Sequence, residues 1–137
     1  ADRGFIGFEN DQYVNSGQCL AAEAHHPVIQ AMIDAYKQLT FTQPDGSLTP
    51  VGCPHVNSDV LERFGLVRNG REQLVDGIHV YPADYFNPLD SATGRLNKTT
   101  NTYSIHWYSM SWLPKSVQFK SKAGRLIRRI FGTSPGK

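Results

Sequence analysis

Beyond Asp90 this sequence contains no acidic residue. All twelve Asp and Glu stand at or before that position beside five Lys or Arg, a formal −7. The stretch that follows holds nine Lys or Arg, and the 137 residues together carry +2. A basic end of this kind can meet nucleic acid, anionic lipid or a phosphorylated ligand, or can be the solvated face of a helix. Cysteine is nearly absent. Cys19 and Cys53 form no Cys-X-X-Cys pair and are too few for a disulfide scaffold, so reduced, buried thiols are expected. No apolar run approaches the length of a membrane span. Phosphate-binding glycine loops, His-Glu-X-X-His and nucleophile elbows are all missing, which excludes the common chemistries those motifs mark. The arginines cluster only near the C terminus and no recognition motif accompanies them, which argues against a nucleic-acid partner.

What is present fits one small domain: 39% apolar and 19% charged residues, neither of which suggests disorder. Ala1-Asp-Arg-Gly does not read as a signal peptide, and the chain is expected to begin inside a longer protein. Phe5–Phe8 reads as a short buried strand, and Cys19–Ala24 as a strand or a helical turn. Pro27–Gln38 is the clearest helix, with Pro in the first turn and an apolar stripe of Ile29, Met32, Ile33 and Tyr36 expected to face the core. His26 precedes it as a capping residue. The pair His25-His26 has no carboxylate at a useful spacing and is not expected to hold a metal.

A second helix is expected after a cap at Asn57 or Ser58, with Val60, Leu61 and Phe64 inward and Gly65 at its end. Asn69-Gly70, between Leu66-Val67 and Leu74-Val75, predicts a hairpin turn. Ile78–Tyr81 and Tyr103–Tyr108 are further strand candidates. Val117–Phe131 predicts a helix with Leu126, Ile127 and Ile130 inward and Lys122, Arg125, Arg128 and Arg129 on its other faces.

Short strands mixed with helices suggest an α/β class. A strand–helix–strand repeat long enough for a complete nucleotide-binding sheet is missing.

The chemically informative stretch runs from Asn101 to Trp112, Asn-Thr-Tyr-Ser-Ile-His-Trp-Tyr-Ser-Met-Ser-Trp. In a strand, Ser104, His106 and Tyr108 share one face, and Tyr103, Ile105 and Trp107 the other. A histidine there can offer a ring nitrogen to a divalent metal, Ser111 can donate to a phosphate oxygen, and Trp112 can donate its indole N–H or pack over a ring. The same stretch also suits an aromatic strand filling a core around a hydrogen-bonded His106.

The order of several segments resembles family 32 glycosyltransferases, the bacterial capsular-polysaccharide and Golgi mannosyltransferase-like enzymes. The matching pieces are Ile6-Gly-Phe-Glu9, Val14-Asn15, Ala21–Pro27, Val51-Gly-Cys-Pro54 with Asn57, Val80-Tyr-Pro-Ala-Asp-Tyr-Phe-Asn-Pro88 and Thr102–Trp112. The last two are the most specific. The resemblance implies that residues 1–137 are a single partial domain, the C-terminal portion of a GT-A-like nucleotide-sugar-binding fold, with a basic segment at 115–137. The family's Asp-X-Asp metal motif does not occur in these residues, and Trp107 stands where many relatives carry a second His or another aromatic residue.

The function so implied is metal-dependent transfer, with retention, of a sugar from a nucleoside diphosphate sugar to a saccharide or lipid-linked acceptor, in polysaccharide biosynthesis. Mn2+ or Mg2+ would neutralise the leaving diphosphate. By this resemblance His106 would be a metal ligand, Ser111 and Trp112 would touch the β-phosphate or donor sugar, and Glu9 and Asn15 would contact sugar. Cys53-Pro54 and Asn57 would shape a loop near the acceptor side, and Asp84 and Tyr85 would lie in a loop that could approach sugar or acceptor. No catalytic base or nucleophile is identified, and without the Asp-X-Asp half these residues alone are expected to be inactive. The basic end is expected to make the protein membrane-associated, through an anionic surface. The setting would be cytoplasmic and peripheral to the membrane, or the Golgi lumen in a eukaryote. The alternative is a carbohydrate- or membrane-binding module of the same fold without the chemistry.

Overall fold

The computed structural model describes residues 2–40, 42–47, 51–109 and 114–131. Its centre is a short strand, β1 (Gly4–Gly7), in a four-stranded sheet of order β2-β1-β4-β3. β2 (Leu20–Ala22) pairs antiparallel with β1, so the open alternative at Cys19–Ala24 resolves as a strand. β4 (Ile78–Tyr81) lies parallel to β1 on its other side, and β3 (Gln73–Val75) closes the sheet antiparallel to β4. A parallel neighbour requires a crossover, and two helices provide it: α1 (Pro27–Lys37) and α2 (Cys53–Arg63), which pack on each other. A small mixed α/β domain results.

Alternation sorts the two faces of the sheet. Ile6, Ile78, Val80 and Val75 point to one side, and with Phe8 and Val14 they meet Val28 and Met32 of α1 and Val60 and Leu61 of α2 in one buried cluster. α1 therefore buries the stripe containing Val28 and Met32, with Ala31 and Ala35 packed beside them; Ile33 and Tyr36, expected inward, are exposed. Val28 and Met32 are one helical turn apart, so a rotation of the stripe by one residue separates expectation from outcome. His26 caps α1, its Nδ1 accepting from the Val28 N–H at 3.2 Å. α2 is capped at Gly52, five or six residues earlier than expected, and starts at Cys53 with Pro54 in the first turn. Asn57 and Ser58 therefore lie inside the helix and are buried.

The hairpin turn is at Asp76-Gly77, not Asn69-Gly70. Val75 pairs with Ile78, and the two residues between them sit at φ +46° and +85°. Two positive φ angles are what a two-residue turn between right-twisted strands requires. The Asn69-Gly70 region instead folds around the Gln73 side chain, which bonds Val67 O, Asn69 Oδ1 and Arg71 O.

The other face of the sheet carries Phe5, Leu74, His79 and Tyr81. Part of it is covered by a single turn, α3 (Ala83–Phe86), whose Phe86 stacks on Phe5 at 5.8 Å. A Cβ on Gly7 would lie 2.9 Å from Phe86 Cδ2, so the absence of a side chain there admits Phe86 onto β1. No strand forms at Tyr103–Tyr108. The Tyr103 and Ser104 N–H groups both donate to Tyr85 O, which ties this segment to α3 and not to the sheet.

The basic helix is present as α4 (Lys115–Phe131). Its stripe is not inward: Leu126, Ile127 and Ile130 are 57%, 55% and 65% exposed. The expectation of membrane association is corrected here. No helix among the described residues is long and apolar enough to cross a membrane, and α4, at 17 residues, is interrupted by Lys120, Lys122, Arg125, Arg128 and Arg129.

Candidate functional site

Glu9 follows β1 at the rim of the sheet. Its position is fixed by a tight turn in which its N–H donates to Tyr13 O at 2.7 Å and Asn10 Oδ1 accepts from the N–H groups of Gln12 and Tyr13. The carboxylate is gripped from two sides. Oε2 accepts from Asn15 Nδ2 at 2.8 Å, and Oε1 accepts from the Tyr108 hydroxyl at 3.2 Å. Asn15 is buried and its Oδ1 is also engaged, by the Gly17 N–H at 2.7 Å and the Cys53 thiol at 3.2 Å. Behind this loop, Asn57 Nδ2 donates to Ser16 Oγ at 2.7 Å. The expected sugar contact at Asn15 is thus held within the protein, where it orients Glu9, and the Cys53–Asn57 turn of α2 buttresses it.

Tyr108 arrives from far along the chain. Its backbone has φ +48°, a conformation a bulky residue rarely adopts and that persists where surrounding contacts dictate it. Those contacts are its hydroxyl, which donates to Glu9 and accepts from Asn87 Nδ2 at 2.7 Å, and its ring, which meets the His106 ring edge-on at 4.3 Å. Burial, and next the negative charge of Glu9, push the Tyr108 phenol up to about 12, so it is a neutral hydrogen-bond donor at physiological pH. Asn87 also donates to Glu9 O at 2.9 Å. It precedes Pro88, a position biased to extended backbone, and ends α3 at φ −138°.

Asn87 Oδ1 and His106 Nδ1 in this network are among the buried polar atoms with no hydrogen-bond partner among the described residues. Buried groups of this kind call for a ligand, an ion or a role. For a metal the residues do not suffice. Among those described, no three His, Cys, Asp or Glu side chains are grouped to hold an ion, and His106 alone is one ligand.

Glu9 and Asn87 open onto a pocket of about 320 Å3, with Asp84, Asp90, Ser91 and Asn97 around it. Asp84 Oδ2 accepts from the Thr99 hydroxyl at 2.7 Å. Burial pushes the Asp90 carboxyl up, but donation by the Thr93 hydroxyl and the N–H groups of Ala92 and Thr93 outweighs it and holds the group below its ordinary value. A wall of carboxylates and amides accepts hydrogen bonds from hydroxyls and repels phosphate. Positive charge lies to one side: the Arg125 guanidinium of α4 is 5.9 Å over the Tyr108 ring, and Arg128 Nε donates to Ala92 O at 2.8 Å.

Across α3 lies a second depression of about 310 Å3, lined by Phe5, Tyr81, Tyr85, Phe86 and Tyr103.

Glu9, Asn15 and His106 are therefore brought into one neighbourhood, while Ser111 and Trp112 lie outside the described residues. Asn87 and Tyr108 complete the site; both lie in the segments that carry the resemblance, but neither has an expected role there. The signal that marks them is the Phe-Asn-Pro88 turn and the spacing of Tyr108 from His106. The thiols are poor nucleophiles. Burial pushes Cys19 up to about 11 and also raises Cys53, and both are free. No family model, curated protein or solved structure matches the chain.

Proposed function

We propose that these residues form the sugar-binding wall of a glycosyltransferase that uses a nucleoside diphosphate sugar, on a GT-A-like fold. The carrying observation is the meeting of Glu9 with the His106–Tyr108 segment over the polar pocket. Glu9, oriented by Asn15 and Tyr108, accepts hydrogen bonds from hydroxyls of the donor sugar, and Asn87 Oδ1 offers a further acceptor. Arg125 supplies positive charge beside the pocket, where a diphosphate can lie outside the carboxylate wall. Ser111 and Trp112 are the proposed contacts to that diphosphate. Mn2+ or Mg2+, if the enzyme uses one, needs ligands in addition to His106. The acceptor would be a saccharide or a lipid-linked saccharide.

The test is saturation-transfer NMR of the chain with uridine and guanosine diphosphate sugars, the matching diphosphates and the free sugars. Transfer to the sugar protons of at least one nucleotide sugar is expected. Absence of binding by every nucleotide sugar, with and without Mn2+, overturns the proposal.

The aromatic depression beside the polar pocket favours a second reading, a carbohydrate-binding module without transfer. It predicts binding of free sugars that nucleotide attachment does not improve.

A further inference from the structure

We propose that the aromatic groove across α3 is a saccharide subsite that stacks the C–H face of a neutral pyranose ring. Five rings make its entire lining, with no charged or amide side chain among them. Phe5 and Phe86 stack at 19° and Tyr81 and Tyr85 at 28°, their centroids 5.8 and 4.8 Å apart. The rings therefore hold each other in place before any ligand arrives. Tyr103 forms the outer lip. The residue is 81% exposed, yet its backbone is pinned by the bond from its N–H to Tyr85 O at 2.8 Å.

The chemistry selects among ligands. A volume of 310 Å3 sits at the low end of the roughly 300–1,000 Å3 of small-molecule sites. A sugar ring has an apolar C–H face, faintly positive against the negative face of an aromatic ring, and hydroxyls at its edge. The phenols of Tyr81, Tyr85 and Tyr103 belong to this lining and can serve that edge. A nucleobase is read along its edge by amide, charged or backbone groups, and this lining offers phenols alone. Here Phe5 stacks on Phe86 and Tyr81 on Tyr85, while Tyr81 stands edge-on to Phe5 and Phe86 at 72° and 82°, so the exposed ring of Tyr103 offers the open face. The polar pocket on the other side of α3 reads hydroxyls, so two adjoining sugars could straddle the turn, one on each side. That the saccharide in the groove is the acceptor rests on the transfer reading above; that the groove binds saccharide does not.

The experiment titrates the chain with neutral gluco-, galacto- and manno-configured trisaccharides, to concentrations on the order of 10 mM, by saturation-transfer NMR. Tyr103→Ala and Tyr85→Ala are run beside wild type, with a nucleotide sugar and a free nucleoside as separate arms. At least one trisaccharide is expected to bind, with about three- to tenfold weakening in Tyr103→Ala and unchanged binding of the nucleotide sugar. Tyr103 is exposed, so its loss leaves the fold intact. Absence of saccharide binding, equal binding by Tyr103→Ala, or displacement of the saccharide by the nucleoside overturns the proposal. If nucleotide-sugar binding survives such a failure, the transfer reading stands without the groove. Saccharide binding without nucleotide-sugar binding sinks the transfer reading and keeps the groove.

Discussion

The Tyr108 hydroxyl donates to the Glu9 carboxylate across 99 positions of sequence, from a backbone turned to positive φ. That bond closes the site, because it fixes the segment after His106 against the rim of the sheet, and it takes Asn87 with it.

Replacing Tyr108 with Phe removes both hydrogen bonds while keeping the ring. Each net bond is worth about 0.5–1.5 kcal/mol, with more lost when a buried partner stays unpaired. A loss of about 1–3 kcal/mol in denaturant unfolding is expected, with an unchanged m-value. A variant as stable as wild type would mean that the Glu9–Asn87–Tyr108 network does not hold the segment.

His79 gives the fold a pH dependence. Its ring stacks on Tyr81 at 4.2 Å and lies 2.7 Å from Glu72 and 3.2 Å from Asp2. Burial lowers its basicity, but the hydrogen bonds to Asp2 and Glu72 outweigh that and raise it. A folded value above the unfolded one stabilises fully below the unfolded value of about 6.5 and loses that contribution as pH rises through the folded value. The melting temperature of His79→Gln should therefore fall below wild type at about pH 5.5, and the gap should narrow by about pH 8.5. A gap that does not change across this range rules the linkage out.

The thiols should resist alkylation. With Cys19 at about 11 and Cys53 raised as well, little thiolate exists at about pH 8, and thiolate is the reactive form. Iodoacetamide should label the native chain much more slowly than the chain in guanidinium chloride, which exposes both. Equal rates in the two states would contradict the partial burial of these groups.

Much of the fold is legible locally. β1, β4, α1 with its His26 cap and the extent of α4 follow from apolar runs, Pro at a helix start and helical periodicity. What fails is what neighbours decide. An apolar stripe on α4 says that the helix has two faces, not what covers one of them, and the structure leaves Leu126, Ile127 and Ile130 exposed. Asn69-Gly70 and Asp76-Gly77 carry the same kind of turn signal, and the pairing of Val75 with Ile78 selects the second. Tyr103–Tyr108 has the composition of a strand but no strand beside it, and Tyr85 takes its N–H bonds. The site divides the same way. Glu9 and His106 are singled out through the family resemblance, whereas Asn87 matters because it touches Glu9 from 78 positions away.

The most direct test of the sugar-binding wall compares wild type with Glu9→Gln by calorimetry. Each is titrated with the nucleotide sugar that binds best and with its nucleoside diphosphate. Glu9 should contribute to the sugar alone, so the variant should bind the nucleotide sugar about tenfold or more weakly, consistent with losing a charged hydrogen bond of about 1.5–3 kcal/mol. Its affinity for the diphosphate should be unchanged. Equal affinity of the two proteins for the nucleotide sugar, with the fold of Glu9→Gln intact, would contradict the account.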